Sequence, residues 1–284
     1  MIITTTANSW NEVTQALLPH INLAFRGQVD ASWPLETSLY REAERQGQIG
    51  KKELHKRESW LLYQFRRFAH LHKSEMPSQE NVLDWLALIQ HYGGPTRLLD
   101  FTRSLYVAAF FAIETASSDA AIWSINRHAL IEATQEKLGI PSDGLINEVQ
   151  QAHNVKFEEL VSNNTQEVAV IQVEPDKLHE QLWMQQGLFL APTNPDVPFM
   201  KNLIGTFKIN AVDMDIESAI PWNDELVERL CYPCKEEERI YALKIILPRR
   251  IHEEIKNSFR AFNVNASTLF PGLEGIARSL RFHI

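Results

Sequence analysis

A chain of 284 residues has room for one large domain, or two closely joined ones, with a proper core. Its 44% hydrophobic and 23% charged residues are an ordinary globular mixture, for which disorder is not the default reading. A formal net charge of −8 excludes a global basic footprint for nucleic acid, though a local basic cleft can still sit on an acidic protein.

In chain order, residues 8 to 20 read as a short amphipathic helix: Asn8 or Ser9 can cap it, and Trp10, Val13, Leu17 and Leu18 recur at helical spacing. Ile21 to Arg26 alternates as a strand, Gly27 follows, and the chain turns from Asp30 to Pro34. Residues 53 to 72 predict a helix with a wide apolar stripe through Leu54, Leu61, Leu62, Phe65 and Phe68. A further helix, Asn81 to His91, stops at Gly93-Gly94-Pro95. Thr96 to Phe101 is extended or turn-like, and Leu105 to Thr115 is a buried helix whose Ala108, Ala109 and Ala112 permit close approach. Ala120 to Ile125 is a strand. Residues 129 to 162 are polar and partly helical, an insertion or mobile element.

Beyond them, Val168 to Val173, Gly187 to Leu190, Ile204 to Ile209 and Tyr241 to Leu247 read as strands, the last ended by Pro248. A helix over 249 to 261 and a tail with a turn at Pro271-Gly272 and a short final helix complete the reading. No internal repeat or Gly/Ser-rich linker divides the chain, so one domain over 1–284 is expected. Helices concentrated in the N-terminal half and strands late imply an α+β fold with a mixed or antiparallel central sheet.

Two cysteines, Cys231 and Cys234, are too few for a disulfide-stapled secreted domain. The first thirty residues carry no basic start followed by an apolar run, and the longest apolar stretch, Leu105 to Ile113, is far short of a bilayer span. The expected setting is a reducing cytoplasm, with no membrane.

The chemistry-bearing segment is His91 to Asp100. Two glycines and a proline break the backbone, and Thr96, Arg97 and Asp100 follow at once. Glycines let backbone approach a ligand, and proline stiffens the turn. Such a loop can present His91, Arg97 and Asp100 to one cleft. Equally, Arg97 and Asp100 can form an internal ion pair, with His91 a helix cap.

Cys231-Tyr232-Pro233-Cys234 lacks the further ligands of a zinc site unless His179 or His252 completes it, and no metal is expected. Arg57, Arg66, Arg67 and Lys73 share a helix with Trp60, Tyr63 and Phe65, which suits a solvated face with long apolar stems or a surface for an acidic ligand or RNA.

Phe25-Arg26-Gly27 is the tripeptide that names the FRG domain, and Gln90 to Glu114 resembles that family's central motif. The likeness continues through Gln185 to Leu190 and Ser267 to Leu280, although Gly272-Leu273-Glu274 stands where the family more often has Asp-Leu-Asp. A further resemblance joins Arg26-Gly27, and Leu98 to Ser104 with its following helix, to Arg-type ADP-ribosyltransferases. That likeness implies NAD as substrate, with Arg26 on its phosphates and Gly27, Thr96, Thr102 and Ser104 around the dinucleotide. It further implies His91 and Tyr92 at the nicotinamide end, and Arg97 and Asp100 bracing the loop or touching substrate. The acidic third motif falls to Glu167, Glu236, Glu237, Glu238 or Glu274, or to Gln186 in its place. By the same likeness the activity is transfer of ADP-ribose to a macromolecule (RNA, DNA or protein), as in a bacterial toxin or phage-defence effector restrained by an antitoxin protein. The other class of function is a non-catalytic module that binds a nucleotide or a partner.

Overall fold

The computed structural model describes residues 1–47, 53–72, 75–176, 180–209, 214–232, 234–235 and 238–280. Lys73, His179, Pro233, Glu236 and Glu237 lie outside the described residues. Among those described, eight strands form one mixed sheet, with helices on both faces, in the order β5-β6-β3-β2-β4-β8-β1-β7. The strands are β1 (Ile2–Thr6), β2 (Leu23–Gln28), β3 (Leu99–Thr102), β4 (Ala120–Asn126), β5 (Val170–Val173), β6 (Gly187–Pro192), β7 (Met214–Pro221) and β8 (Ala242–Leu247). From β5 to β8 neighbours run antiparallel, whereas β1 is parallel to both β8 and β7. The expected α+β class with a mixed sheet is what the chain forms, and helices run through both of its halves.

Local chemistry accounts for most elements. Helix α1 (Trp10–Leu17) starts in a capping box, in which the Ser9 side chain accepts from the Glu12 amide while Glu12 reaches back, and it buries Trp10, Val13 and Leu17. Helix α2 (Ser38–Arg45) is capped by Thr37 and buries Leu39, Tyr40 and Ala43. Helices α3 (Leu54–Ala69) and α4 (Val82–His91) follow, the second capped by Asn81. Helix α5 (Leu105–Ile113) begins at Ser104, which accepts from the Val107 amide, and is buried nearly all round.

Helices α6 (Arg127–Leu138) and α7 (Ile146–Ser162) occupy the segment expected to be an insertion. Both pack on β5 and place Leu130, Phe157 and Leu160 in the core. The remaining helices are α8 (Glu180–Met184), α9 (Phe199–Phe207), α10 (Asp224–Cys231), α11 (His252–Phe262), α12 (Ala266–Leu269) and α13 (Leu273–Ser279). Among the described residues no helix is long and apolar enough to cross a membrane.

One strand expectation is overturned. Ile204 to Ile209 is not a strand; most of it is the end of α9. Phe199, Leu203 and Phe207 repeat at helical spacing and are buried, and this longer period outweighs the apparent alternation of the last six residues. Gly205 lies in that helix because a Cβ there would come within 2.5 Å of the Val168 carbonyl oxygen.

Candidate functional site

The site grows from the junction of β2 and β3. These strands register at a single pair, Phe25 opposite Thr102, whereas β2 meets β4 along six consecutive pairs. Beyond Phe25 the Arg26 side chain reaches across instead, its Nη1 donating to the Asp100 carbonyl oxygen at 2.7 Å and lying 3.7 Å from the Asp100 carboxylate. A cleft of about 860 Å³ opens there, lined from both strands.

Gly27 fixes how closely α5 can lie on this floor. A Cβ at Gly27 would stand 2.0 Å from the Ala108 carbonyl oxygen and 2.5 Å from the Ala112 nitrogen, so the position admits only glycine. Val107, Ala108 and Phe111 of α5 thereby become a wall of the cleft. The opposite side is built by Arg41, Glu44 and Arg45 of α2, and by Gln90 and His91 at the end of α4. Trp33 and Gln185 line it as well.

The electrostatics favour an anion beside an apolar surface. Arg26, Arg41 and Arg45 stand against two carboxylates, Asp100 and Glu44. Burial holds the Arg26 guanidinium below its usual pKa; Asp100 counters that effect and Arg41 adds to it. Arg26 Nε is buried with no hydrogen-bond partner among the described residues. A buried donor left unmet costs free energy, and the guanidinium that carries it lines the cleft, where an anion can meet its charge.

Of the residues expected at the site, Arg26, Gly27, His91, Asp100 and Thr102 line this cleft. Thr102 has a structural duty there, since its hydroxyl donates to the Gln185 carbonyl oxygen at 2.6 Å and accepts from the Ser104 amide. His91 stacks edge-on against Tyr92 with ring centroids 4.9 Å apart, and Tyr92 itself is exposed outside the cleft lining. Thr96 is buried, its hydroxyl donating to the Gln90 side-chain oxygen and its carbonyl accepting from Leu39. Ser104 is the cap of α5.

Arg97 points elsewhere. It is 1% exposed and held by Glu58, with Nε 2.6 Å from Oε2, while Nη1 donates to the Thr193 carbonyl. Neither arginine of the motif pairs as the alternative Arg97–Asp100 bond required: Arg97 pairs with Glu58, and Asp100 pairs with Arg26.

None of the described third-motif candidates lines the cleft. Glu167 lies 3.7 Å from Lys137, Glu238 3.9 Å from Lys235, and Glu274 3.3 Å from Arg278. Gln186 is exposed at φ 49° in the turn that leads into β6, and its neighbour Gln185 is the one that faces the cleft.

Sequence reasoning missed α2 and with it Arg41 and Arg45. Thr37 followed by the pair Leu39/Ala43 was a usable signal for that helix. Cys231 is no candidate nucleophile, since burial pushes its thiol up to about 12.

Residues 21–121 match the model of the FRG domain family, a span that runs from just before β2 to the start of β4 and includes Arg26, α2, α4, Asp100 and α5. No curated protein and no solved structure matches the chain.

Proposed function

With residues 21–121 matching the FRG domain family, we propose that the Arg26 cleft binds NAD and transfers its ADP-ribose to a macromolecule. The observation that carries this reading is the buried Nε of Arg26, which has no partner among the described residues, on a guanidinium that feels both a second arginine, Arg41, and the exposed carboxylate of Asp100. A guanidinium fork suits a diphosphate, because two N–H groups can meet two oxygens at once. Phe111 and Trp33 offer apolar surface for flat rings.

Asp100, rather than any of the glutamates expected from sequence, is then the carboxylate facing the ribose. Its negative charge would stabilise positive charge developing at the anomeric carbon as the bond to nicotinamide breaks. That bond's electron pair leaves with nicotinamide, the acceptor's nucleophile forms the new bond, and the acceptor's proton passes to solvent. Enzymes of this kind would serve as toxins or defence effectors inside a cell.

The absence of every described glutamate candidate from the cleft favours one other reading, a module that binds the nucleotide and does not turn it over. Incubation of the full chain with labelled NAD and separate pools of cell protein, RNA and DNA separates the two. Label transfer, or nicotinamide release, that vanishes in Arg26→Ala and in Asp100→Asn establishes the transferase. NAD binding without either product leaves the binding module. Absence of NAD binding by folded protein removes both.

A further inference from the structure

Helix α2 has a cavity on either side. One is the Arg26 cleft; the other is a groove of about 980 Å³ between α2 and α3. Arg41 and Arg45 line both. From α3 the groove receives Lys56, Arg57 and Trp60, so among the described residues four cations face two carboxylates, Glu42 and Glu53. On a chain of net charge −8 that is a local reversal of sign. Each cavity also holds one open tryptophan: Trp60 is 59% exposed in the groove and Trp33 is 51% exposed at the cleft.

We propose that this groove seats single-stranded nucleic acid and leads it to the Arg26 cleft as the acceptor. The inference rests on the transferase reading given above. Cations shared between two cavities suit the phosphates of a strand that passes from one to the other, and the flanking indoles suit its bases. A strand uses both features at once, because its phosphates meet the cations and every base has a face that stacks. A duplex hides those faces, so a single strand is the fitting form. Arg45 bonds Glu42 at 2.6 Å with its own side chain 78% exposed, and an exposed pair of that kind yields readily to a phosphate.

The test uses the full chain and four probes: labelled 12-nucleotide single-stranded RNA and DNA of mixed sequence, a duplex of the same length, and a polyglutamate peptide. Single strands should bind with an affinity that falls steeply with salt, and the duplex should bind about tenfold more weakly. Trp60→Ala should weaken strand binding about tenfold, in the range measured for loss of one stacked base. The double variant Lys56→Gln/Arg57→Gln should reduce the log–log salt slope by about 1.4, from two lost phosphate contacts.

Thermal unfolding and NAD binding of each variant report on fold and cleft. Strand binding that Trp60→Ala leaves unchanged overturns the groove, and so does equal binding of polyglutamate lost in the same variant, which assigns the surface to an acidic protein. Failure of the parent protein to bind NAD overturns the transferase reading instead, so the two failures are distinct.

Discussion

Arg26 and Arg97 flank the same short strand, β3, and their surroundings differ in kind. Arg97 is enclosed and its donors are met: Glu58 takes Nε and the backbone amide, Thr193 takes Nη1, and His55 Nδ1 lies 3.5 Å from Nη2. Arg26 has one firm bond, to the Asp100 carbonyl, and one buried donor that nothing among the described residues accepts. A charge held by complete hydrogen bonding pins α3 to the start of β3, while a charge left incomplete at a cleft is ready for a ligand. The two arginines belong to the same family-matched span. Their hydrogen-bond inventories and their exposure, 20% for the Arg26 side chain against 1% for that of Arg97, tell them apart.

The sharpest way to break this contrast is Arg97→Ala. It leaves Glu58 buried without its cation and should cost about 3–5 kcal/mol, read as a fall in the urea midpoint. A loss under 1 kcal/mol would deny Arg97 its structural part. Next comes Gly27→Ala, which drives a methyl group into the backbone of α5 and should cost about 1–3 kcal/mol while closing the cleft from one side.

Acidification bears on the buried histidines, His252 of α11 among them. Burial, and then Arg97, hold the His55 pKa below the usual 6.5, and burial does the same for His153 under α7. The unfolded chain therefore takes up protons near 6.5 that the folded chain refuses until lower pH. Stability should fall as pH drops through that value, and His153→Gln should flatten the profile in urea titrations at several pH values. The smallest effect on stability is expected from Arg26→Gln, about 1 kcal/mol or less, because the lost bond is offset by relief of a desolvated charge. NAD binding, measured on the same protein, should be abolished.

Much of this was readable in advance. The Gly93-Gly94-Pro95 stop after Asn81 to His91 and the small residues of α5 located two elements closely, and the motif around Arg26 and Asp100 located the cleft. Three things were not. Strand β1 is five residues whose partners lie across nearly the whole chain, so no local pattern announces it. The role of Arg97 depended on Glu58, a residue 39 positions away with nothing in its own segment to mark it. Gln185 and Gln186 exchanged parts because a left-handed residue turns the chain between α8 and β6, and side-chain direction through such a turn does not follow strand alternation.

The place of β1 in the sheet also sets a clock on biosynthesis. It lies between β8 and β7, with Ile2 opposite both Ala242 and Met214. At ribosomal rates of about 5–20 residues per second, roughly 10–50 s separate the emergence of β1 from that of β8. For roughly the second half of that interval, from its own emergence to that of β8, β4, buried along its whole length in the finished protein, has no partner on its β8 side. A nascent chain with so apolar an open edge invites strand pairing with its neighbours on the polysome. Yield in the cell should therefore track the supply of holding chaperones more closely than the equilibrium stability of the finished fold.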